Sequence, residues 1–181
     1  NLLKVATENI NLTLSADEDI TLGRFETSSA SNAAVTLTSS SGGVVDGDTA
    51  LPPEFTSIGG DSSLWLDIDA ANGRLVADVV TGFGADNPIE TKVKSLDIDN
   101  STSGETDIFE FDELDILKIN NAGGNTEVSF EGELKGQTNC TGACLFVRRD
   151  LRNIPIGGKT LGQLANASNE QHKFDVFELN G

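Results

Sequence analysis

Tyrosine and methionine are absent from these 181 residues, and tryptophan and histidine occur once each. Trp65 and a few phenylalanines such as Phe83, Phe109 and Phe111 are all that a sugar-stacking surface has to draw on. The single histidine, His172, has no Gly-x-Ser-x-Gly elbow to work with, so a surface side chain is expected rather than a catalytic triad. No apolar run approaches the roughly 20 residues of a membrane-spanning helix, and membrane insertion is not expected. Two cysteines are too few for a disulfide-stapled miniprotein and lack the partners of a zinc site. Cations are scarce as well. Twelve Lys and Arg against 29 Asp and Glu give a net charge of −17, which repels phosphate backbones and excludes nucleic acid as an expected partner. The missing initiator methionine and apolar signal region point to a mature product or an excised fragment.

What is present alternates with period two. Ile10, Leu12 and Leu14, then Val35 and Leu37, then Leu64, Leu66 and Ile68 each skip a polar neighbour, and Leu96 with Ile98, Leu114 with Ile116 and Val128 with Phe130 continue the pattern. Turn-formers such as Ser41-Gly42-Gly43 and Asn121-Ala122-Gly123-Gly124 separate these runs. The chain reads as all-β. One short helix is expected over 160–169, where Thr160 and Gln163 form a capping-box pattern.

Leu66-Asp67-Ile68-Asp69 recurs thirty residues later as Leu96-Asp97-Ile98-Asp99. Degenerate copies of this kind fit a solenoid whose coils stack about 4.8 Å apart. An antiparallel β-sandwich is the alternative, because Asn72-Gly73 between alternating runs is a hairpin signal. The repeats place the solenoid over 1–137 and leave 138–181 as a non-repeat cap or interaction segment.

The run Ala34-Val35-Thr36-Leu37-Thr38-Ser39-Ser40-Ser41-Gly42-Gly43-Val44-Val45-Asp46-Gly47-Asp48 resembles the repeats of filamentous-haemagglutinin-type bacterial exoproteins. So does Gly82-Phe83-Gly84-Ala85-Asp86-Asn87-Pro88-Ile89-Glu90-Thr91 with the strand that follows it, and the likeness spans about residues 9–136. It implies a right-handed parallel β-helix, secretion, and service as an adhesin or surface filament. The secretion domain that begins such proteins is not visible here, and residues 138–181 fit no repeat.

Three sets of side chains carry candidate chemistry. Cys140 and Cys144 flank Thr-Gly-Ala and are expected to form a small loop disulfide, which favours an oxidising, extracellular or cell-surface location. Asp67, Asp69, Asp97 and Asp99 alternate with apolar residues and, if their strands stack, form a row able to bind calcium or to supply the paired acids of a polysaccharide-active enzyme, with a solvated acidic face as the plainer reading. Asp17-Glu18-Asp19 and Asp46-Gly47-Asp48 are further calcium-turn candidates. Arg148, Arg149 and Arg152 form the one basic cluster, suited to an acidic partner. Gly157-Gly158-Lys159-Thr160 has the end of a phosphate loop, but position 153 is Asn where that loop has Gly. Sequons occur at Asn11, Asn100, Asn139 and Asn166.

The sequence therefore predicts a non-catalytic extracellular structural or adhesive protein, a segment or subunit of a bacterial surface adhesin or filament. Its expected partners are other copies, neighbouring domains of a longer chain, or a host-surface ligand, and no cofactor beyond calcium is expected. The alternatives are a polysaccharide-active β-helix enzyme and a calcium-stabilised β-sandwich binding module.

Overall fold

The computed structural model describes residues 4–47 and 66–148, and the strand pairs 155–156 and 159–160. Asp48, Leu64, Trp65, Arg149, Arg152, Gly157, Gly158, Asn166, His172 and, apart from Thr160, the helix expected over 160–169 lie outside the described residues. The strands are β1 (Lys4–Thr7), β2 (Leu12–Ala16), β3 (Ile20–Leu22), β4 (Arg24–Thr27), β5 (Val35–Ser39), β6 (Val44–Asp46) and β7 (Ile68–Val79). They continue as β8 (Ile89–Asn100), β9 (Thr106–Glu110), β10 (Leu114–Phe130), β11 (Leu134–Lys135), β12 (Cys140–Arg148), β13 (Pro155–Ile156) and β14 (Lys159–Thr160).

Every pairing among β1–β12 is parallel, and partners lie a nearly constant distance apart in sequence. Lys4 pairs with Arg24, Leu12 with Val35, Leu75 with Leu96 and Thr106 with Thr126, a period of 20 to 23 residues. Parallel strands joined in this way form a right-handed parallel β-helix of about six coils. The interior is built from columns of stacked side chains. One runs Leu12, Val35, Leu75, Leu96, Ile116, and the next runs Leu14, Leu37, Ala77, Ile98, Ile119, Cys140. From Val35 and Leu37 to Ile116 and Ile119 these columns are buried, as the period-two pattern requires.

The period breaks once. Phe25 pairs with Ile68, 43 residues on, so the chain between Asp46 and Asp67 carries about one extra coil's length without moving the register of its neighbours. Coils approach closely at glycine. At Gly104 φ is +82°, and a Cβ would lie 2.0 Å from the Thr81 carbonyl oxygen, so a side chain fits neither the backbone conformation nor the space.

Four expectations change. The sandwich alternative fails, because the one antiparallel pair among the described residues is β13 with β14. Asn72-Gly73 makes no hairpin: it lies inside β7, where the register slips between Ala70 and Arg74, and Gly73 is required because a Cβ would come within 2.3 Å of Ala34 Cβ. Parallel pairing continues past residue 137, since β12 lies on β10 as far as Arg148 opposite Phe130. Lys159-Thr160 forms a strand against Pro155-Ile156, so Thr160 is a strand residue and not the helix cap expected of it.

Candidate functional site

Cys140 and Cys144 are disulfide-bonded, as expected, with Cα atoms 6.4 Å apart. The pair closes the last coil, Cys140 stacked on Ile119 and Cys144 on Thr126. Arg148 is exposed at the end of β12. Of the aromatic residues described, Phe83 is wholly buried in the main core and Phe109 packs with Leu66 and Phe111.

The four aspartates do not line up. A coil is shorter than the thirty-residue spacing of the two Leu-Asp-Ile-Asp copies, so Asp67 and Asp69 fall at the start of β7 while Asp97 and Asp99 fall at the end of β8, on a different side of the helix. Asp69 receives Arg24 Nη2 at 3.5 Å and is in register with Lys92. Asp97 is in register with Val76 and Lys118. Asp99 accepts hydrogen bonds from Lys118 and from Asn120 Nδ2, and the Lys118 contact holds its carboxyl below the usual range. Asp69 and Asp99 are thus paired surface carboxylates, and Asp97 lies beside Lys118 in the register.

Asp67 belongs elsewhere. It turns away from Asp69 and meets Asp46, at the end of β6, and Glu90, one coil further on in β8. The three carboxylates bring an oxygen each to within 4.8 Å of one another. Backbone pairing fixes two of them, because Asp67 N–H donates to the Glu90 carbonyl at 3.0 Å and Glu90 N–H donates to Asp67 Oδ2 at 3.1 Å. Asn87 Nδ2 donates to Asp46 Oδ2 from the rim. Glu90 is 0% exposed, and neither of its carboxylate oxygens has a hydrogen-bond partner. Burial first, then the negative charge and contact of Asp67 and the charge of Asp46, push the Glu90 carboxyl up to about 10.

A second interior acid is differently provided for. Glu110 occupies a column that runs Val5, Phe25, Ile68, Thr91, Glu110, Phe130 and is 0% exposed. Its oxygens accept from Thr91 Oγ1 at 2.8 Å, Val93 N–H at 3.2 Å and Asp112 N–H at 3.3 Å. Burial nevertheless dominates and holds its carboxyl well above the ordinary 4.5. The acid form fits the site, because Thr91 Oγ1 also donates to the Phe109 carbonyl and so can accept the Glu110 proton.

Asn100, which opens one of the four sequons, is an interior ladder residue. It is 0% exposed, accepts from Gly82 N–H at 3.1 Å, and donates to the Ser103 and Gly104 carbonyls and to Asn121 Oδ1. That geometry leaves no room for a glycan in the folded chain.

A polar depression of about 230 Å³ lies along the coils, lined by residues including Ser31, Asn72, Lys94 and Asp115. Asp115 is the one carboxyl in its lining. Sequence reasoning found Asp67 and, as a turn, Asp46. It missed Glu90 and Glu110, whose only signal was an acid at a position the period-two pattern assigns to an interior or crowded face. Comparison with protein-family models, curated proteins and solved structures returns no match.

Proposed function

We propose that this chain is a non-catalytic structural segment of a bacterial surface adhesin or filament, placed outside the cell. One observation carries the reading: among the described residues β1 pairs only with β4 and β2 only with β5, so the first coil presents a row of backbone N–H and C=O groups on its outer edge. Such an edge templates further strand pairing. Apolar side chains accompany it, with Ile10 59% and Leu14 36% exposed although Leu14 heads a column that is buried from the next coil onward. A preceding coil, a neighbouring domain or a second copy of the chain would cover both at once. The disulfide suits an oxidising compartment, and the charge of −17 discourages side-by-side aggregation while leaving end-to-end stacking open. The mechanism is mechanical: coils transmit load through parallel hydrogen bonds, and outward Thr, Ser, Asn and Asp rows face solvent or a ligand.

Negative-stain electron microscopy of the purified chain tests this. End-to-end stacking predicts thin rods longer than the roughly 30 Å that about six coils span. Compact single particles at every concentration and in either calcium or chelator would contradict filament assembly.

A further inference from the structure

We propose that Asp46, Asp67 and Glu90 form a calcium site. Three carboxylates converge with oxygens no more than 4.8 Å apart, and oxygens bonded to one Ca²⁺ at 2.3–2.6 Å lie up to about 5 Å from one another, so the cluster has the size that one ion can bridge. The independent sign of a ligand is Glu90. Its side chain is completely buried and converges with two other acids, yet neither oxygen meets a donor, and a buried carboxyl with both oxygens unmet calls for something to satisfy it.

The donor set chooses the ion. All ligand atoms are oxygen, with no histidine or thiol, which suits a hard cation and disfavours zinc or copper. Mg²⁺ keeps several waters and takes one or two carboxylates, whereas Ca²⁺ accepts three and fills its shell with a neutral oxygen and water. The Asn87 side chain stands beside Asp46 at the rim, placed to contribute.

The position gives the site a task. Asp46 and Asp67 are the points where the chain leaves the coil after β6 and returns to it before β7, and Glu90 belongs to the following coil. One ion therefore ties both ends of the long connection to each other and to the coil on which they rest, at the one break in the period. This site goes beyond the structural reading and does not depend on it.

The test is calorimetric titration of CaCl₂ into the chelator-stripped full chain, with thermal melting alongside. One site per chain is expected, and calcium at a hundredfold excess over its dissociation constant should raise the melting temperature by about 5–10 °C. Glu90→Gln and Asp67→Asn should each weaken calcium binding at least about tenfold, whereas Asp97→Asn on the outer surface should bind as the parent does. Circular dichroism establishes that each variant is folded, and the two ligand variants serve as checks on one another. No saturable binding, or equal binding by folded Glu90→Gln and Asp67→Asn, would overturn the site. Tighter binding of MgCl₂ than of CaCl₂ would overturn the choice of ion.

Discussion

Asn100→Ala should lower the stability of the folded chain by about 4 kcal/mol, measured as a shift of the urea midpoint at unchanged slope. The size follows from what the amide does. It is wholly buried and serves four backbone or side-chain partners in three consecutive segments: Gly82 N–H, the Ser103 and Gly104 carbonyls, and Asn121 Oδ1. Removing it leaves the Gly82 N–H and the Ser103, Gly104 and Asn121 oxygens without their buried partner. Each such orphan costs about 1–3 kcal/mol, and neighbours relax enough that the sum is not reached. Asn100→Asp separates this from simple packing, since it keeps the shape but turns an oxygen toward the three acceptors. It should be at least as damaging as alanine above pH 5. A loss below 1 kcal/mol for Asn100→Ala would show that the ladder is not a structural element.

The second large effect is on pH. In the folded chain Glu110 is held well above 4.5 by burial, and Glu90 is pushed to about 10 by burial and by Asp67 and Asp46. Both are protonated when folded at a pH where the unfolded chain has released the proton. The contribution to stability is thus fully present below about 4.5, and it declines as pH rises from there toward the folded values. Each group contributes a slope of about 1.4 kcal/mol per pH unit inside that window. Metal-free protein in chelator should therefore be markedly more stable at pH 5 than at pH 8. Glu110→Gln isolates one of the two. Its amide oxygen can accept from Val93 and Asp112 N–H while its NH₂ donates to Thr91 Oγ1, so the fold is kept and the titration is removed. The fall of stability as pH rises above about 4.5 should be shallower in the variant than in the parent, so the variant gains on the parent as the pH is raised. Stability that is flat or rises over pH 5–8 in both proteins would contradict the interior placement of Glu110.

The architecture was legible in the sequence because alternation with period two marks an interior column directly: Leu12 stands between Asn11 and Thr13 and Leu96 between Ser95 and Asp97, and both stack into one column with Val35, Leu75 and Ile116. The copy Leu66-Asp67-Ile68-Asp69 and Leu96-Asp97-Ile98-Asp99 misled, since two segments with one pattern need not be one coil apart. A repeat of polar and apolar letters records which residues face inward, not which side of the helix they occupy. Asn72-Gly73 misled for a related reason, because glycine there answers to Ala34 Cβ in the adjacent coil and not to a turn. Glu90 was hidden because burial of an acid depends on long-range stacking: Asp67 is 23 residues before it and Asp46 is 44 before it. Asn100 presented a correct sequon, and only its place at the corner of a coil turned the amide inward.

The stacking of the second coil on the third, across the long connection, underlies the acid cluster, the columns and the rod. Thr36 and Val76 are Cα partners on its outer side, 40 residues apart in sequence. A Thr36→Cys/Val76→Cys chain, made in a Cys140→Ser/Cys144→Ser background, brings its new thiols within the 4.4–6.8 Å Cα range of a disulfide. The off-register pair Thr38→Cys/Val76→Cys holds its Cα atoms about 8 Å apart, too far to bridge. Mild oxidation followed by peptide mapping should find the first pair cross-linked nearly completely and the second pair still reduced. Cross-linking of neither pair, or of the off-register pair alone, would contradict the stacked-coil account.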